Sequence, residues 1–164
     1  MMYRRCKIFT IAMVLTFMGG GLPSGWCAVD NQQHEHPAAT RSESGLTLNN
    51  GQPWQTDAPL RKGMEAIQRD IRDALPRVRS GAQTPRQYTA LAKKMHSHLR
   101  YITKHCKLPP AVDDQLHRIL AEVLQGAEAM ESQNGQASGA AMVVHALDLY
   151  GRHFEHAGWK PLEH

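Results

Sequence analysis

The sequence has little of what braces small exported proteins and little of what carries enzyme chemistry. It contains three cysteines in 164 residues. Two of them, Cys6 and Cys27, lie within the first 28 positions, so a disulfide scaffold is excluded. Aromatic residues amount to 6%. No apolar run reaches the roughly 20 residues of a membrane-spanning helix. The chain has no Cys-x-x-Cys-His segment for covalent haem, no Gly-rich phosphate loop and no paired carboxylates in an apolar setting. Enzyme activity is therefore not expected. Histidine is abundant instead, with ten residues in a chain that is 41% hydrophobic and 21% charged. Apart from the histidines that is the composition of one globular domain, neither disordered nor collagen-like.

The start of the chain reads as an address. Arg4, Arg5 and Lys7 form a basic region, residues 8–18 an apolar stretch interrupted only by Thr10 and Thr16, and residues 19–28 a small-residue, turn-prone exit. This predicts a secretory signal peptide over residues 1–28, cut after Ala28, and a periplasmic or secreted protein with no integral membrane segment after cleavage. Trp26 is bulky for the third position before the cut, and directly before Cys27 it disfavours lipid attachment there. Removing Arg4, Arg5 and Lys7 leaves 16 basic residues against 15 acidic. The basic excess thus belongs largely to the leader, and no nucleic-acid partner is expected. Cys106 remains as a lone thiol, to be buried, paired between chains or bound to a soft metal.

Residues 29–56 read as a flexible polar segment, with His34 and His36 in it and a turn at Asn50-Gly51, where both residues tolerate positive φ. Four amphipathic helices follow, predicted over about 58–78, 84–106, 110–132 and 136–156. Asp57 caps the first, whose stripe is Leu60, Met64, Ile67, Ile71 and Leu75; Pro76 ends or kinks it. Thr84-Pro85-Arg86-Gln87 is a capping box with Pro at the first helical position, opening a stripe of Tyr88, Leu91, Met95, Leu99 and Ile102. The third helix carries Val112, Leu116, Ile119, Val123, Ala127 and Met130, and the fourth Val143, Leu147, Tyr150 and Phe154. Short loops between such helices imply an all-α, antiparallel up-down-up-down four-helix bundle over residues 57–158, with residues 159–164 as a tail. Residues 57–107 hold 12 basic and 4 acidic side chains and residues 108–164 hold 3 and 8. The two halves are expected to pack with complementary surfaces.

The spaced residues Leu46, Leu48, Asn49, Gly51, Trp54, Thr56, Asp57, Leu60, Arg61, Gly63 and Met64 resemble a pattern in small exported helical proteins of proteobacteria, mostly uncharacterised. That resemblance covers about 20 residues and implies no mechanism.

The topology gathers histidines. The start of helix one, the end of helix two, the start of helix three and the end of helix four share one end of an up-and-down bundle. Met64, His96, His98, His105, Cys106, His117, His153 and His156 belong to that end, and His145 lies elsewhere. At about 1.5 Å per residue, Met64, His98 and His117 sit roughly 9–12 Å in from their helix ends. The leading expectation is a transition-metal site, copper or zinc, drawn from His98, His105, His117, His153, Met64 and Cys106, serving metal handling or stress response. Taken singly, each of these histidines reads as a surface or boundary residue. A second expectation comes from architecture, which resembles the soluble periplasmic b-type cytochromes; that resemblance implies haem b held by Met64 and His153 as axial ligands. A third is an interaction module that holds a periplasmic protein or a second copy of itself through its charged halves or through Trp54 and Trp159.

Overall fold

The computed structural model describes residues 45–163. The expected signal peptide and the His34/His36 pair lie outside the described residues. Four helices follow in order, α1 (Ala58–Arg79), α2 (Pro85–His105), α3 (Pro110–Glu131) and α4 (Gln136–His153), and the described residues contain no strand. Each helix packs on its neighbour in sequence, and α4 closes the ring on α1. The result is the expected antiparallel four-helix bundle. No helix among the described residues is long and apolar enough to cross a membrane.

The helix starts follow from side-chain chemistry. Asp57 Oδ1 accepts the Leu60 N–H at 2.8 Å, satisfying one of the unpaired donors at the α1 N-terminus. At α2, Thr84 N–H donates to Gln87 Oε1 at 2.8 Å and Gln87 N–H to Thr84 Oγ1 at 3.4 Å, a complete capping box. Pro76 neither ends nor replaces the last turn of α1, which runs on to Arg79. Its missing N–H would have served the carbonyl of Arg72, an exposed residue.

The apolar stripes form one core. Leu60, Met64, Ile67, Met95, Ile102, Ile119, Val123, Met130, Val143 and Tyr150 are fully buried. Burial of each large apolar side chain contributes about 1.5–3 kcal/mol, several times the worth of an exposed ion pair. The stripes therefore hold the bundle. α3 and α4 meet backbone to backbone at Gly126 and Gly139: a β-carbon on Gly126 would stand 2.7 Å from the Gly139 carbonyl oxygen.

The two segments flanking the bundle are part of it. Residues 45–56, expected to be a flexible polar segment, are folded onto the helices. Leu46 is buried, Asn50 and Gly51 turn at φ 50° and 83°, and Gln52 N–H returns to the Asn49 carbonyl at 2.9 Å. Trp54 N–H donates to the His153 carbonyl and Glu155 N–H to the Trp54 carbonyl, both at 2.8 Å. That bridge draws Phe154 into an extended conformation, which is why α4 stops at His153 and not at His156. The chain then returns along α1: Leu162 is buried, and Gln68 Nε2 donates to the Lys160 carbonyl at 2.9 Å.

Candidate functional site

Among the described residues no group of three or more His, Cys, Asp or Glu side chains is assembled around a common ion position. The histidines go to separate partners. His98 Nε2 lies 2.8 Å from Asp70 Oδ2, on the opposite side of the α1–α2 seam, and Lys94 Nζ lies 3.1 Å from Asp70 Oδ1. Burial alone would raise the Asp70 carboxyl; the hydrogen bonds and charges of His98 and Lys94 outweigh it and hold the group below the ordinary carboxylate range. His96 reaches Glu131, the last residue of α3, at 3.6 Å and so turns toward the far end of the bundle. His145 pairs with Glu122. His156 is buried between the Tyr150 hydroxyl at 2.9 Å and Glu65 at 3.0 Å, with Trp159 against it.

Three of the expected ligands share a local arrangement. His105, His117 and His153 each place Nδ1 at 2.8 Å from the carbonyl oxygen four residues earlier, those of Tyr101, Asp113 and Leu149. A carbonyl only accepts, so Nδ1 carries a proton, and Nε2 is the nitrogen through which the neutral form of each ring would ligate a metal. His105 also stacks on Tyr101, at 4.5 Å between ring centres. His105 and His117 are exposed, and His153 is half-buried. Met64 is fully buried in the core.

One cleft brings two of the expected residues together. At the mouth of the α2–α3 pair a space of about 240 Å³ is lined by Cys106, Asp113, His117, Ile102, Leu116 and neighbours. Cys106 closes α2, and the two prolines that follow at 109 and 110 stop the chain from continuing as helix and start α3. His117 comes up one face of α3 with Asp113 four residues before it, its Nδ1 3.5 Å from Asp113 Oδ2. Burial, then the Asp57 carboxylate beside it, and then Asp113 push the Cys106 thiol up to about 12. The sulfur is thus a protonated thiol at neutral pH and not a reactive nucleophile. His98, His105, His153 and Met64 do not line this cleft.

The sequence reading missed Asp113 as a partner and treated Asp57 only as a cap. The Asp113/His117 spacing of four on a helix was the available signal. The expected complementary packing of the charged halves is also not what holds the bundle. Among the described residues the Lys and Arg ion pairs are Lys94–Asp70, inside the first half, and Arg152–Asp148, inside the second. Only histidines span the halves, through His96–Glu131 and His156–Glu65. Trp54 and Trp159, expected as partner-holding residues, are engaged within the chain: Trp54 Nε1 donates to the Thr47 carbonyl at 2.6 Å, and Trp159 packs edge-on against Tyr150.

Compared with known proteins, the chain matches no family, no curated protein and no solved structure.

Proposed function

We propose that this is a small, non-catalytic bundle that captures a thiophilic transition metal, Cu(I) or Zn(II), in the cleft at the mouth of α2 and α3. The observation that carries the reading is that Cys106, Asp113 and His117 line one cleft of about 240 Å³. Sulfur, imidazole nitrogen and carboxylate oxygen form a donor set suited to zinc, and the sulfur and nitrogen suit Cu(I). His117 supplies Nε2, with Nδ1 held by the Asp113 carbonyl. The Asp113 side chain, 47% exposed, has room to turn its carboxylate toward the cleft. Binding replaces the Cys106 S–H bond with a sulfur–metal bond and releases that proton to solvent. If residues 1–28 export the chain, this cleft handles metal in the periplasm.

The test is titration of the mature chain with Zn(II), and with Cu(I) under reducing conditions, against a chromophoric chelator. Cys106→Ser and His117→Ala should each weaken binding by about tenfold or more, with far-UV circular dichroism unchanged. His98→Ala should leave affinity intact, because His98 is committed to Asp70. Unaltered binding in the Cys106→Ser/His117→Ala double variant overturns the proposal.

A further inference from the structure

Above the mouth, α2 and α3 leave a second, more apolar groove. Leu99, Leu120, Ala121 and Leu124 line it, with His96, Arg100 and His117 at its edges, and its volume is about 400 Å³. Leu124 is 39% exposed, one of two large apolar residues so exposed among the described residues. The two walls carry opposite charge. Lys93 and Arg100, seven residues apart, follow the α2 edge of this face, and Glu128 and Glu131 follow the α3 edge at four and seven residues beyond Leu124. All four are exposed. Among the described residues Lys93, Arg100 and Glu128 make no ion pair, and Glu131 meets only the His96 imidazole, at 3.6 Å.

We propose that the α2–α3 face binds a second copy of this chain, about a two-fold axis parallel to the helices. Such an axis sets α2 of each copy against α3 of the other at the same height. Lys93 of one copy then faces Glu128 of its mate, twice over, and the Leu99, Leu120 and Leu124 groups close the centre. A two-fold axis perpendicular to the helices would instead oppose α2 to α2, like charge to like, and is disfavoured. The face is large enough. Two helices of about 21 residues, each roughly 32 Å long and 10 Å wide, present some 600–700 Å² per copy, at the lower edge of specific interfaces. The inference does not rest on the metal reading, and its test is run on chelator-treated protein.

Sedimentation equilibrium of the mature chain should show a reversible, concentration-dependent dimer that weakens as salt rises. Lys93→Glu and Glu128→Lys should each weaken self-association by about tenfold or more, while an equimolar mixture of the two variants associates again as a heterodimer. Leu124→Glu should give a monomer with unchanged far-UV circular dichroism. A wild-type chain that stays monomeric at its solubility limit, or a mixture that associates no better than either variant alone, overturns the proposal.

Discussion

Asp57 and Lys107, fifty positions apart, are joined by a 2.7 Å hydrogen bond from the Lys107 N–H to Asp57 Oδ2, while Oδ1 of the same carboxylate caps α1. One side chain therefore fixes the start of α1 to the connection between α2 and α3, the connection that carries Cys106. Replacing it should loosen both. Asp57→Ala should cost about 2 kcal/mol, the sum of a lost cap and a lost backbone partner, and Asp57→Asn less, since the amide oxygen retains one of the two bonds. Urea unfolding of the three proteins checks the order.

The same carboxylate governs the thiol. Burial is the main reason the Cys106 thiol titrates at about 12, and the Asp57 charge is the next. Wild-type Cys106 should react slowly with iodoacetamide at mildly alkaline pH. Asp57→Asn should lower the thiol's titration and speed the reaction, read as the alkylation rate of the folded protein against pH. No change in rate would show that Asp57 does not act on the sulfur.

Asp70 makes stability depend on acid. Its carboxyl is held below the ordinary range in the folded chain, so the folded state binds a proton less readily than the unfolded one. The stabilisation it provides is complete above the ordinary carboxylate range and is lost as pH falls from there through the lowered folded value. Asp70→Asn should cost about 1–2 kcal/mol at neutral pH and flatten the acid limb of the stability profile. Thermal unfolding of both proteins from neutral to strongly acidic pH measures it.

The glycine contact between α3 and α4 tolerates no added carbon. A β-carbon on Gly139 would stand 2.7 Å from the Met130 nitrogen and 3.0 Å from the Ala129 β-carbon. Although Ala is the better helix former, Gly139→Ala should destabilise by about 1–3 kcal/mol. Gly51→Ala, where a β-carbon meets nothing but φ is 83°, should cost about 1 kcal/mol through backbone strain alone. Chemical denaturation of each variant against the wild-type chain measures both costs.

Much of the fold was legible because it is local. Asp57, Thr84 and Gln87 announce helix starts, and the stripe from Leu60 to Ile71 announces the buried face, since both depend on residues three or four apart. The histidines were not legible in the same way. Whether His98 meets Asp70 or joins His117 depends on how α2 is rotated against α1 and α3, which no single helix encodes. The i→i−4 ring contacts of His105, His117 and His153 also commit one nitrogen of each ring before any neighbour is considered. Residues 45–56 were misread as flexible for a related reason. Leu46 and Trp54 are single anchors without a period, and the backbone partners of Trp54, His153 and Glu155, lie near the other end of the chain.

That bridge between Trp54 and Phe154 makes tryptophan a selective witness of folding. Helices joined by short loops find each other quickly, whereas residue 54 must meet residue 154 across nearly the whole bundle, so the bridge forms only after the helices are in place. Trp54 and Trp159 stand at this junction, one bonded to Thr47 and one against Tyr150. Trp26 falls within the expected leader, so the emission of the mature chain would report the last clasp of the structure rather than the gathering of its core.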